Sequence, residues 1–113
     1  MVTGGFRSAS VMNDAIVSGK TDLIGMGRPF IIEPGFATKL LNGTIDKAPA
    51  IEQNFPPADI LPRGAVLSWF SAQLALVGKT GQPDLSLSVV EGHESYTQQI
   101  KVATERWIQI RCQ

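Results

Sequence analysis

The sequence is poor in the residues that usually build catalytic and metal centres. It contains one cysteine, Cys112, and one histidine, His93, among 113 residues. A single cysteine cannot form an internal disulfide and no metal-ligand spacing surrounds it, so we predict no metal site and a reducing compartment, the cytoplasm. His93 has Glu91 and Glu94 beside it but no second ligand or nucleophile at suitable spacing. We interpret it as a solvated residue that precedes a helix cap at Ser95.

The sequence also lacks an excess of charge and a long apolar run. Ten basic and ten acidic residues give a formal net charge of 0, so there is no electrostatic case for a nucleic-acid or membrane-surface partner. No apolar stretch approaches the ~20 residues that cross a bilayer, and the N-terminus has no basic region followed by an apolar core. The hydrophobic content of 43% is ordinary for a globular protein and excludes the low-hydrophobicity class of disordered chains.

Two glycine-containing turns stand out in the first part of the chain. They are residues 3–7, Thr-Gly-Gly-Phe-Arg, and residues 25–29, Gly-Met-Gly-Arg-Pro. Each turn follows a short apolar run, residues 1–3 and residues 23–26, and an amphipathic segment separates the two. The pattern predicts strand, loop, helix, strand, loop, helix. Apolar runs without polar alternation are typical of parallel strands that are covered on both faces.

The residues of both turns suit the binding of an anion. A glycine can adopt φ > 0 and direct its backbone N–H at an anion, and an arginine presents a bidentate, permanently charged fork. Gly4 and Gly5 are the candidate donors in the first turn, and Gly27 and Arg28 are the candidates in the second. Arg7 either reaches the same anion or lies on the rim of the fold. We therefore predict a phosphate site at these two turns.

The residues around the turns resemble a known family. The matching runs are Val2-Thr3-Gly4-Gly5-Phe6-Arg7-Ser8, Asp14-Ala15-Ile16 and Ser18-Gly19-Lys20-Thr21-Asp22-Leu23-Ile24-Gly25-Met26-Gly27-Arg28-Pro29-Phe30. They resemble the C-terminal end of the NADH:flavin oxidoreductase family, the old yellow enzyme relatives. In that family the segment is strand 7, helix 7, strand 8 and helix 8 of a barrel that holds FMN. Phosphate sites of such barrels are frequently built from the loops after strands 7 and 8.

The resemblance implies a fold class and a function. The chain would be an α/β protein, the C-terminal part of a TIM (β/α)8 barrel followed by a mainly helical C-terminal extension. Gly5, Gly27 and Arg28 would hold the phosphate of FMN, and Gly4 would make the close turn. NAD(P)H would be the reductant and an electron-poor alkene or similar acceptor the substrate. No catalytic residue is implied, because the family places those residues on earlier strands and Tyr96 lies outside the matching motif.

The chain is too short to form a complete barrel of this kind. A complete barrel needs about 250 residues, and this chain has 113, the first of which already lies in the predicted seventh strand. We interpret the chain as a C-terminal fragment or truncated gene product that is inactive alone, and we expect its open strand edge to favour self-association. Two alternatives stay open. One is a non-catalytic interaction fragment, and the other is part of a different phosphate-binding (β/α)8 enzyme such as an aldolase or isomerase.

We divide the chain into three parts. Residues 1–43 are the end of the FMN-binding barrel, residues 44–63 are a proline-rich connecting loop, and residues 64–113 are the helical C-terminal extension. In the first part the pattern predicts a helix over residues 10–18, with Val11, Met12, Ala15 and Ile16 on its apolar side. It predicts a second helix over residues 36–42, with Phe36, Leu40 and Leu41 pointing inward.

The helical extension carries three predicted elements. The pattern predicts a helix over residues 64–78 that ends at Gly78. Its apolar face includes Trp69, Phe70 and Leu74. In residues 82–90, apolar and polar residues alternate for a few positions. This pattern favours a short strand, although a turn into the next helix is nearly as plausible. Residues 95–111 form the last helix, because Ser95-Tyr96-Thr97-Gln98 has the capping-box pattern.

Overall fold

A computed structural model describes residues 1–112 of the chain. The chain divides into two compact units, Met1–Gln53 and Asn54–Gln113. The described part is rich in helix and contains two short strands, which pair in parallel. None of its helices is both long enough and apolar enough to cross a membrane.

The first unit is built on a strand, helix, strand arrangement. Its elements in chain order are strand β1 (Val2–Thr3), helix α1 (Ala9–Val17), strand β2 (Ile24–Gly25), helix α2 (Arg28–Ile32) and helix α3 (Phe36–Leu41). A 3-10 helix (Ile51–Asn54) follows, and only its last residue belongs to the second unit. The two strands pair in parallel with Val2 opposite Ile24 and Thr3 opposite Gly25. The expectation that both strands are covered on both faces is wrong for β1, where Val2 is 45% exposed.

Helix α1 ends at Val17, one residue before the predicted end at residue 18. Gly19 follows it with φ +71°, a left-handed conformation that glycine adopts without strain, and its N–H donates to Ile16 O at 3.0 Å. The prediction of its apolar side is correct for two of the four residues. Met12 and Ala15 are buried, whereas Val11 and Ile16 are exposed, so the buried stripe is narrower than the sequence pattern indicates.

Helices α2 and α3 supply the rest of the core of this unit. Pro29 lies in the first turn of α2, where its missing N–H costs nothing, and it is fully buried. The rings of Phe30 and Phe36 meet edge to face with centroids 5.1 Å apart. The prediction that Leu41 points inward is wrong, because its side chain is 88% exposed at the end of α3.

The proline-rich segment is more ordered than a plain loop. Ser8 and Lys47 form an antiparallel bridge, and Ala48 N donates to Arg7 O at 2.7 Å. The 3-10 helix Ile51–Asn54 follows. These bonds hold the segment against the chain that leaves the first turn.

The second unit is a pair of helices, α4 (Ala65–Thr80) and α5 (Val89–Arg111). Helix α4 continues through Gly78 and ends at Gly81, which has φ +80°, so the predicted end at Gly78 is wrong. The prediction of an apolar face holds for Trp69 and Phe70, which are buried, but not for Leu74, which is 58% exposed.

The segment between α4 and α5 is a turn and contains no strand. It is fastened to α4 by buried polar side chains. Gln73 Nε2 donates to Asp84 O at 2.6 Å, its Oε1 accepts from Asp84 N at 2.8 Å, and Trp69 Nε1 donates to Leu87 O at 2.8 Å. These bonds satisfy backbone groups that a strand would have paired in a sheet.

Helix α5 begins at Val89, six residues before the predicted start at Ser95. Its cap is Ser88, whose hydroxyl accepts from Glu91 N at 3.2 Å while Glu91 Oε2 accepts from Ser88 N at 2.9 Å. This capping box satisfies two backbone donors. Gly92, the fourth residue of α5, lies directly against Trp69 of α4.

Candidate functional site

The two glycine-containing turns leave the same edge of the parallel pair. Because Thr3 is opposite Gly25, the chain enters each turn at the same level of the sheet. The Gly4 N–H donates to Gly25 O at 3.0 Å, which extends the strand pairing by one bond. Gly4 therefore shapes the turn, and its N–H is not directed at a ligand.

The first turn has the backbone conformation that an anion site needs. Gly4 and Gly5 have φ values of +81° and +80°, in the left-handed region where other residues are strained. A Cβ atom on either residue would meet nothing within 4 Å. Space is therefore open in front of this turn, and the Gly5 N–H has no backbone acceptor among residues 1–112.

The second turn uses its glycines differently from the sequence prediction. Gly27 has φ −111° and does not adopt the left-handed conformation. Gly25 is required for another reason, since a Cβ there would come within 2.6 Å of Thr3 Oγ1. Gly25 thus allows a close approach of the two strands, and Arg28 is the residue that brings charge to the site.

Arg7 and Arg28 approach a single carboxylate. Arg7 Nη2 donates to Glu52 Oε1 at 2.7 Å, and Arg7 Nη1 donates to Phe6 O at 3.2 Å. Arg28 Nη1 lies 3.7 Å from the same Glu52 oxygen. The two arginines, one from each turn, are thus within reach of one anionic oxygen.

Glu52 is the site residue that sequence reasoning missed. It lies on the 3-10 helix Ile51–Asn54, and its side chain is 19% exposed. The pairing of Ala48 with Arg7 brings this part of the chain beside the first turn. One signal was present in the sequence, because Glu52 is the only charged residue between Lys47 and Asp59.

A cleft of about 610 Å³ lies beside the first turn. The residues that line it include Gly5, Arg7, Ser8 and Lys47, and none of the described residues that line it is acidic. Ligand pockets commonly have volumes of about 300 to 1,000 Å³. The cleft has the size and the donors to accept a phosphate-bearing small molecule.

The described residues offer little for acid-base or metal chemistry at this site. Residues 1–112 contain no group of three or more His, Cys, Asp or Glu side chains that is placed to hold a metal ion. His93 and Tyr96 lie on helix α5, in the second unit. The interpretation of His93 as a solvated residue before a cap is wrong, since its Nδ1 is buried, with no hydrogen-bond partner in residues 1–112.

No protein-family model, curated protein or solved structure matches this chain. Within the described residues, the two turns are neighbours in space, and Arg7 and Arg28 both approach Glu52.

Proposed function

We propose that this chain holds the phosphate of FMN through Arg7, Arg28 and the Gly5 backbone, as the phosphate-binding end of an NAD(P)H-dependent flavin oxidoreductase. The observation that carries the proposal is the approach of Arg7 and Arg28 to one carboxylate oxygen, at 2.7 and 3.7 Å. Two guanidiniums near one anionic oxygen are arranged as a phosphate would require. Gly27, which directly precedes α2, would add a second backbone N–H, whereas Gly4 shapes the first turn through its bond to Gly25 O.

The proposed fold of the intact protein is a TIM (β/α)8 barrel, to which this chain contributes strands 7 and 8 with their helices and a helical extension. Support comes from the parallel pairing of β1 and β2, with α1 between them in the sequence. It also comes from the position of the charged turns after these two strands, where barrels of this class frequently bind phosphate. We place the protein in the cytoplasm, where the exposed thiol of Cys112 would stay reduced.

Bound FMN would supply hydride transfer from NAD(P)H to an electron-poor alkene or a similar acceptor. The residues of this chain would bind and orient the cofactor through its phosphate. Arg28 would supply a charged fork, Arg7 a guanidinium already fixed by Phe6 O, and Gly5 a backbone N–H. No catalytic residue is assigned to this chain, and we expect it to be inactive alone.

A ligand panel tests the proposal. Fluorescence titration of the 113-residue chain should give tighter binding of FMN than of riboflavin, by roughly tenfold or more, because a charged hydrogen bond contributes about 1.5 to 3 kcal/mol. Ribose 5-phosphate, which carries a phosphate without a flavin, should compete weakly. Equal affinity for FMN and ribose 5-phosphate would favour a different phosphate-binding (β/α)8 enzyme.

An interaction fragment is the second candidate function, because apolar side chains of α5 are exposed. Ile100, Trp107 and Ile110 are 49%, 58% and 67% exposed, and they recur at spacings that place them on one side of the helix. Sedimentation velocity tests this candidate. Self-association that Trp107→Ser abolishes would support it, whereas a monomer at all concentrations would speak against a second copy as the partner.

A further inference from the structure

Glu52 occupies the point at which the two candidate arginines meet. Its Oε1 accepts a hydrogen bond from Arg7 Nη2 at 2.7 Å and lies 3.7 Å from Arg28 Nη1. A phosphate held by both guanidiniums would need the same position, because that is where their donors approach each other. Glu52 in its observed place and a phosphate bound by both arginines therefore exclude one another.

We propose that the Glu52 carboxylate is an internal occupant of this two-arginine site, and that a phosphate monoester binds there by displacing it. The identification of that monoester as FMN rests on the proposed function, whereas the displacement applies equally to inorganic phosphate. Glu52 then lowers the affinity of the site for every anion, since each must compete with a carboxylate that is already present.

The bonding of Glu52 favours displacement. Its Oε2 is buried and has no hydrogen-bond partner among the described residues 1–112. A buried oxygen without a donor is unfavourable, so the carboxylate is held less firmly than one with donors on both oxygens. Movement of Glu52 out of the site would return this oxygen to water.

The element that carries Glu52 is also suited to such a movement. The 3-10 helix Ile51–Asn54 is a single turn with no buried residue. Elements with few buried contacts open at a lower free-energy cost than helices that pack in a core. Arg7, in contrast, is fixed by its second bond to Phe6 O, so the arginine stays in place when the carboxylate leaves.

The competition defines the class of ligand. A phosphate monoester carries a charge of about −1.5 to −2 at pH 7 and three acceptor oxygens, whereas a carboxylate carries one charge and two oxygens. Two guanidiniums attract the ligand with the greater negative charge more strongly. We expect the site to select phosphate monoesters over carboxylates such as acetate.

Calorimetric titration of inorganic phosphate and of FMN into the 113-residue chain tests this inference. Glu52→Gln should tighten the binding of both ligands roughly tenfold, because a neutral amide competes less strongly for the two guanidiniums than a carboxylate does. Glu33→Gln is the matched control. Glu33 pairs with Lys39 at 2.7 Å in the same unit, so the variant removes the same charge elsewhere and should change either affinity by less than about twofold. Unchanged or weaker binding to Glu52→Gln would overturn the inference.

A second measurement on the wild-type chain does not depend on the folding of a variant. Carbon-13 NMR of the glutamate carboxyl groups should show the Glu52 resonance moving toward that of a solvated glutamate as inorganic phosphate saturates the site. The Glu33 resonance should stay in place. A Glu52 resonance that is unchanged at saturation would contradict displacement.

The two proposals fail in different ways. If inorganic phosphate binds more tightly to Glu52→Gln but FMN binds no better than riboflavin, the displacement is supported and the flavin function is wrong. If FMN binding depends on its phosphate but is indifferent to Glu52→Gln, the flavin function stands and the displacement is wrong.

Discussion

Arg7 Nη2 donates a 2.7 Å hydrogen bond to Glu52 Oε1, across 45 positions of sequence. Ion pairs with substantial solvent exposure contribute only about 0 to 1 kcal/mol to stability, and the Arg7 side chain is 35% exposed. The ion pair between Arg7 and Glu52 therefore contributes little to the stability of the fold. Its main consequence is positional, because it fixes a guanidinium beside the open Gly4 and Gly5 turn and next to Arg28.

The contact between α4 and α5 gives a sharp stability prediction. A Cβ at Gly92 would lie 2.5 Å from Trp69 Cδ1 and 3.2 Å from Trp69 Cα. Trp69 is fully buried and hydrogen-bonded to Leu87 O, so it cannot move aside easily. Gly92→Ala should lower the free energy of unfolding by about 1 to 3 kcal/mol, as overpacked cores do, measured by urea denaturation with circular dichroism.

Gly78 provides the matched control for this substitution. It lies inside α4, and a Cβ there would meet nothing within 4 Å. Gly78→Ala should raise the free energy of unfolding by about 0.5 to 1 kcal/mol, because alanine loses less backbone entropy in a helix. Equal effects of the two substitutions would show that α4 and α5 are not in contact at Gly92.

The Gln73 amide should be essential to the turn between α4 and α5. Gln73→Met keeps the length of the side chain but removes both hydrogen bonds to the Asp84 backbone. Each of these hydrogen bonds contributes about 0.5 to 1.5 kcal/mol, so we expect a loss of about 1 to 3 kcal/mol. Thermal unfolding measures this loss. Gln98→Met, at an exposed position of α5, should change stability by less than about 0.5 kcal/mol, and a similar loss in both variants would refute the role of Gln73.

The helix cap predicts how stability depends on pH. The Glu91 carboxylate accepts hydrogen bonds from the Ser88 side chain and, with a smaller effect, from the Ser88 backbone N–H. These bonds hold the pKa of Glu91 below its ordinary value. Because the folded pKa is lower than the unfolded value of about 4.3, this stabilisation is present above that value and is lost as pH falls through the folded pKa. The urea midpoint of the wild-type chain should therefore decline as pH falls below about 4.

Two variants isolate the contribution of Glu91. Glu91→Gln removes the ionisable group of the cap and should make the decline shallower. Glu94→Gln changes an exposed glutamate of the same helix and should leave the wild-type decline in place. Identical pH profiles for all three proteins would show that Glu91 does not carry this dependence.

A glycine follows the ends of α1 and α3, but the glycine signal fails for α4, which continues through Gly78. Gly19 and Gly43 both have φ values in the left-handed region after α1 and α3, and glycine adopts that region without strain. The start of α5 was misjudged because two capping patterns compete within a few residues. Ser88 and Glu91 form the box, whereas Ser95 lies inside the helix, where tertiary packing of Gly92 against Trp69 outweighs the local pattern.

The candidate site was predictable only in part. Glycines and arginines in two turns are a local pattern, and their position after paired strands follows from strand geometry. Glu52 joins them through a fold contact between distant residues, which no local pattern encodes. The left-handed conformation of Gly4 and Gly5 was predictable from their residue type, but the conformation of Gly27 was not.

FMN binding by Arg28 variants tests the central claim most directly. Arg28→Ala should weaken FMN binding to the 113-residue chain by roughly one to three orders of magnitude, because it removes one or two charged hydrogen bonds. Arg28→Lys should fall between wild type and Arg28→Ala, since lysine keeps the charge but not the planar fork. Arg63→Ala, at an exposed position in the second unit, should bind FMN like the wild type. Riboflavin affinity should be unchanged in all variants, and a loss of riboflavin binding equal to the loss of FMN binding in Arg28→Ala would contradict the phosphate assignment.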